Sequence, residues 1–218
     1  GFAEKVETEW QHIKDSPTRL TPEAIEHYRS YFTEPAYETL PDASELLAQQ
    51  RFENREFDQW VAHNVDAHKR PGYAIVTLTL KKTGIPPGDV SDAQLEHIAD
   101  LADEFSFGEV RSTHEQNLVL ADVRQDRLLE LWQRLRPLGF ATPNLNTLTD
   151  VICCPGGDYC ALANAKSIPV AEAIQRRFDD LDYLYDLGKI DLNISGCMNA
   201  CGHHHVGNIG ILGVDKKG

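Results

Sequence analysis

The 218-residue chain is 41% hydrophobic, enough to fill a core, and this excludes a disordered or fibrous protein. Its formal charge of −13, from 21 Lys and Arg against 34 Asp and Glu, excludes the clustered basic surface that follows nucleic-acid phosphates. The longest apolar runs, such as Ala74 to Leu80, are strand-sized, far from the roughly 20 residues of a membrane span, so a soluble protein is expected.

In chain order, Phe2, Val6, Trp10 and Ile13 recur at helical spacing. Thr21-Pro22-Glu23 reads as the start of a second helix that carries Ile25, Tyr28 and Phe32, and Phe57, Trp60 and Val61 suggest a third. Residues 1–70 are therefore expected to be a helical linker region without chemistry of its own. Tyr73 to Leu80 reads as a strand with Val76, Leu78 and Leu80 on one face. Ser91 and Gln94 form a capping-box signature ahead of an amphipathic helix with Leu95, Ile98, Leu101, Ala102 and Phe105. A strand or strand pair is expected over Val110 to Val123. A helix opened by Asp126 then presents Leu128, Leu131, Trp132 and Leu135 and stops at Gly139. The order of strand, helix, strands and helix over 71–141 predicts an α+β half-domain of ferredoxin-like type. In residues 142–218 a helix is expected after Cys160, with strands over Ile190 to Ile194 and Val206 to Val214. The chain opens on Gly1 without a methionine and closes on a strand running into a hairpin turn, so it reads as a truncated piece of something longer.

Five cysteines are an odd number, and four of them form two short clusters near glycines, which favours cytoplasmic metal binding over disulfides. Cys154-Pro-Gly-Gly-Asp-Tyr-Cys160 and Cys197-Met-Asn-Ala-Cys201 supply four soft ligands, the complement of a 4Fe-4S cluster. Gly156, Gly157, Gly196 and Gly202 would let backbone pass close to such a cluster and aim amides at its sulfides. A four-cysteine zinc site accepts the same ligands but ordinarily uses tighter pairs, so a zinc-stabilised interaction module and a simple iron–sulfur electron-transfer protein both stand as alternatives. Cys153 is expected to pack near the site. His203, His204 and His205 are neighbours that point in different directions and cannot all chelate one ion.

Cys-x5-Cys followed by Gly196-Cys-Met-Asn-Ala-Cys-Gly202 resembles the cluster motif of the sirohaem-dependent sulfite and nitrite reductases, most nearly the bacterial haemoprotein beta component. The likeness is strong over 142–218 and extends to the half-domain at 71–141. It implies a six-electron reduction of sulfite to sulfide or nitrite to ammonia, with a 4Fe-4S cluster and sirohaem as cofactors. It also implies Cys201 as the catalytic thiolate bridging the two, and Asn199 beside the tetrapyrrole. Arg111-Ser-Thr-His-Glu-Gln-Asn117 resembles the family's sirohaem-lining strand, which makes Arg111, Thr113, Gln116 and Asn117 expected contacts for the carboxylates of sirohaem. The implied partners are the small anion and an electron donor, either ferredoxin or a flavoprotein reductase, with no nucleic acid and no membrane. In this family the basic residues that hold the anion come mainly from a preceding half, and no Arg and Lys cluster of that kind occurs here. The chain alone is therefore expected to be inactive.

Overall fold

The computed structural model describes residues 1–17 and 19–215. Its packing divides into two units, Gly1–Glu38 and Thr39 onward. The first holds α1 (Phe2–Ile13) and α2 (Pro22–Arg29). Thr21 caps α2 as its sequence predicts, its hydroxyl accepting from the Ala24 amide at 3.1 Å, with Pro22 at the first helical position. Phe2, Val6, Trp10 and Ile13 are at least half exposed, so the apolar periodicity of α1 builds no core here.

The second unit begins with α3 (Ser44–Glu53), α4 (Arg55–Asn64) and β1 (Val65–Ala67). Thus part of the stretch expected as linker enters the half-domain: β1 pairs with β2 (Tyr73–Leu78), and Phe57, Trp60 and Val61 of α4 are buried in its core. Next come α5 (Asp92–Phe105), β3 (Arg111–Ser112), β4 (Leu118–Arg124) and α6 (Leu128–Leu138). The four strands form an antiparallel sheet in the order β1-β2-β4-β3. Alternation on β2 sends Val76 and Leu78 into the core, where they meet Ile98, Leu101 and Phe105 of α5 and Leu128, Leu131, Trp132 and Leu135 of α6. Each of these large side chains contributes on the order of 2 kcal/mol by leaving water. The Ser91–Gln94 capping box is present, with Gln94 N–H on Ser91 Oγ at 3.2 Å and Ser91 N–H on Gln94 Oε1 at 3.0 Å. Gly139 ends α6 at φ +84°, in the left-handed region that glycine reaches without a Cβ clash. Leu95 is 48% exposed and lies off the buried stripe of α5.

The remaining elements are β5 (Ile152–Cys153), α7 (Ile168–Arg177), α8 (Leu181–Leu187), β6 (Leu192–Ser195) and β7 (Ile209–Leu212). The strands form a parallel sheet in the order β5-β6-β7 over a second core of Leu148, Val151, Cys153, Ala171, Leu184, Leu192 and Ile194. The helix expected directly after Cys160 starts only at Ile168, because residues 161–167 are turns whose amides at Asn164 and Ala165 donate to the Gly196 carbonyl. The hairpin turn expected at the end of the chain falls on 216–218, outside the described residues.

Candidate functional site

Cys154 follows the carboxyl end of β5, and Gly196-Cys197 follows the carboxyl end of its parallel neighbour β6. Loops leaving the carboxyl ends of adjacent parallel strands converge, and in open α/β sheets that is where ligands bind. The two cysteine segments are knitted together at this point. Gly196 N–H donates to Cys154 Sγ at 3.0 Å, Cys154 N–H donates to the Ile194 carbonyl at 3.0 Å, and Ser167 Oγ lies 3.7 Å from the same sulfur.

The glycines make this approach possible. A Cβ on Gly196 would stand 2.8 Å from Gly156 Cα, and one on Gly202 would stand 2.0 Å from the Ile194 carbonyl oxygen, so neither position admits a side chain. Beyond Cys197 the chain makes two tight turns, Ala200 N–H to Cys197 O at 3.2 Å and His203 N–H to Ala200 O at 2.8 Å. Ala200 and His203 sit at φ +58° and +53°, conformations that cost a non-glycine residue on the order of 1 kcal/mol.

All five cysteines are free thiols. Cys197 is buried, Cys154 half-buried, and Cys160 and Cys201 exposed. Among the described residues no three His, Cys, Asp or Glu side chains stand together as a metal-binding group, so the four expected ligands share a loop cluster without their sulfurs being drawn to one point. The donor set and the backbone nonetheless fit an iron–sulfur cluster: four thiols occupy glycine-lined turns, and one sulfur already accepts an amide N–H, the contact that stabilises a thiolate. Cys153 faces the other way, into the second core. Burial, reinforced by the neighbouring Cys154, pushes its thiol up to about 12, against an opposing pull from Lys81.

The hairpin between β3 and β4 carries the residues expected to line sirohaem. Thr113 N–H donates to Asn117 O at 2.9 Å and Asn117 N–H to Thr113 Oγ1 at 3.1 Å, which closes the turn. Arg111 is exposed and pairs with Glu109 beside it on the surface. Gln116 accepts from Cys153 N–H at 2.8 Å and donates to Cys153 O at 3.0 Å, and Asn117 accepts from Leu80 N–H at 3.0 Å and donates to Asp150 at 3.1 Å. Both amides are thus engaged inside the protein. Thr113 and Asn117 do border a cavity of about 560 Å³, together with His63, Asn146, Asp150 and Lys189. Asn199 is exposed in the turn between Cys197 and Cys201. His203 and His205 are exposed and His204 half-buried, with the ring of His204 edge-on to that of His205 at 5.4 Å.

Two supporting groups have no counterpart in the sequence reading. Lys81, with a fully buried side chain, holds Asp150 at 3.2 Å and donates to the Glu115 carbonyl at 2.5 Å. Burial draws its ammonium below the ordinary lysine range, and Asp150 opposes that pull. Ser167, at the entry to α7, would be read as a helix cap, but its side chain makes no capping bond and faces Cys154. Only the position of Ser167 before Ile168-Pro169 signals the helix start; nothing local signals its sulfur contact.

Comparison with known proteins shows what the chain resembles. Residues 77–138 match the nitrite/sulfite reductase ferredoxin-like half domain. A protein named sulfite reductase [ferredoxin] 2, from Mycolicibacterium paratuberculosis, is 31% identical over 159 residues, covering 70% of this chain and 28% of the relative. The chloroplastic ferredoxin–nitrite reductase of Zea mays is 30% identical over 186 residues, covering 80% of this chain and 29% of that protein. The solved structure of the Mycobacterium tuberculosis NirA protein superposes with a TM-score of 0.52 at 26% identity, covering 65% of this chain and 25% of that one. The chain therefore spans about three tenths of the length of these relatives.

Proposed function

The chain belongs to the nitrite/sulfite reductase family, and from that premise we propose that it forms the cluster-bearing portion of an enzyme that reduces sulfite to sulfide or nitrite to ammonia. The observation that carries this reading is the meeting of Cys154 and Gly196-Cys197 at the carboxyl ends of two adjacent parallel strands, with an amide already donated to the sulfur. Cys154, Cys160, Cys197 and Cys201 would hold a 4Fe-4S cluster, with Cys201 shared with sirohaem and Asn199 beside it. When bound, these groups supply an electron store joined to an iron that takes the anion, as a six-electron reduction demands.

The chain's own residues prepare the ligands. Gly196 N–H stabilises negative charge on Cys154 Sγ, and the close-packed glycines let the two turns approach. Thr113 and Lys189 line the cavity beside the hairpin, where the hydroxyl and the cation would meet sirohaem carboxylates, while Asn117 borders it with its amide held by Leu80 and Asp150. The names of the relatives point to ferredoxin as electron donor, and a Bacillus subtilis relative, 26% identical over 129 residues, is named nitrite reductase [NAD(P)H]. Among the described residues no helix is long and apolar enough to cross a membrane, and a reducing cytoplasm would keep the cysteines available for iron.

The test is a visible spectrum with metal analysis of the chain, expressed with a sirohaem supply and purified without oxygen. Iron–sulfur absorption is the expected result, and sirohaem bands beside it would show that this portion suffices to capture that cofactor. A colourless protein with one zinc per chain would favour a zinc-stabilised interaction module and overturn the reading. The isolated chain is expected to turn over neither sulfite nor nitrite.

A further inference from the structure

β5 is an edge strand only two residues long, and among the described residues it pairs with β6 alone. Cys154 turns its N–H toward β6, onto Ile194 O, so the N–H and carbonyl of Cys153 face the opposite, open side. That open side is filled by one side chain from 37 residues away: the Gln116 amide takes the Cys153 N–H at 2.8 Å and gives its own N–H to the Cys153 carbonyl at 3.0 Å. A primary amide offers the same donor and acceptor as a peptide group, so Gln116 stands in for the missing strand neighbour.

The geometry is built for this contact. Gln116 sits at φ +59°, which swings its side chain out of the hairpin toward β5, and Gly88 at φ +87° packs beneath it where a Cβ would lie 3.2 Å from Gln116 Cβ. The base of the turn is fixed by Lys81 on the Glu115 carbonyl and by Asn117 on Leu80 and Asp150.

We propose that Gln116 is a positioning residue for the cluster: through its two bonds to Cys153 it fixes the strand from which the Cys154 sulfur leaves, and so holds that sulfur against the Gly196 amide. The inference rests on the reading of Cys154 as a cluster ligand. It assigns Gln116 a place in the protein scaffold, distinct from a direct contact with sirohaem.

The test compares the full chain with Gln116→Asn and Gln116→Met. Asparagine tolerates the left-handed backbone and keeps an amide but is one carbon too short to reach both Cys153 groups; methionine keeps the length and loses both bonds. In the iron-free proteins, hydrogen exchange at the Cys153 and Cys154 amides is expected to quicken about tenfold in Gln116→Asn, the equivalent of one lost hydrogen bond. In the reconstituted proteins, cluster loss to a chelator is expected to quicken by a similar factor, and the cluster midpoint potential to fall as the Gly196 amide bond to sulfur loosens. Unchanged exchange, or a variant with faster exchange that keeps the parent's chelation rate and potential, overturns the inference. Failure of the parent chain itself to take up iron and sulfide overturns the functional reading on which the inference rests.

Discussion

The best test of the site at the scale of single residues is Lys81, which serves the cysteine strand without touching a cysteine in any hydrogen bond. Its ammonium is fully buried against Asp150 and the Glu115 carbonyl, and Asp150 is further bound by Asn117 and by the Asn146 amide at 3.0 Å. Lys81→Met would leave the Asp150 carboxylate nearly buried without its cation, which costs on the order of 3 kcal/mol. Chemical denaturation should show that loss, and Lys81→Met combined with Asp150→Asn should recover part of it; an unaltered midpoint in Lys81→Met would show that the pair contributes nothing. Residue types at this scale were well legible in the sequence, whereas their partners were not. Polar amides at 116 and 117 pointed to a binding role, but the groups they bond, Cys153 and Asp150, lie 37 and 33 residues further along. Arg111, expected at the sirohaem, spends its charge on a near neighbour, Glu109, a local pairing that competes with any more distant anion.

Among the elements, the half-domain was the most legible because its periodicities are strong and its boundaries carry their own chemistry. The alternation of β2, the capping box of α5 and the glycine stop of α6 each follow from residues within a few positions of one another. Ser91→Ala removes the bond that receives Gln94 N–H and is expected to cost about 1 kcal/mol, read from the denaturation midpoint. A cost near zero would mean that α5 is held by its buried face of Ile98, Leu101 and Phe105 alone. The cysteine region was less legible, since its elements are brief and joined by contacts distant in sequence. β5 has only two residues, and α8 is one short helix that Asp180 caps on the Tyr183 amide at 3.2 Å, a signal easily lost in an acidic stretch. The apolar stripe of α1 shows the opposite failure, a clear period that here buries nothing.

At the scale of the whole molecule, an antiparallel half-domain and a parallel cysteine-bearing sheet are joined by the Gln116 amide and by the Lys81–Asp150 pair, so the fold of one sets the backbone of the other. That Cys154, Cys160, Cys197 and Cys201, and not Cys153, hold one iron–sulfur cluster is our proposal. It is tested most directly by iron and acid-labile sulfide analysis after anaerobic reconstitution of the parent chain and of five single Cys→Ser variants. About four irons and four sulfides are expected in the parent and in Cys153→Ser, and a marked loss in each of the other four. Full loading of Cys154→Ser, or a loss confined to Cys153→Ser, would contradict it.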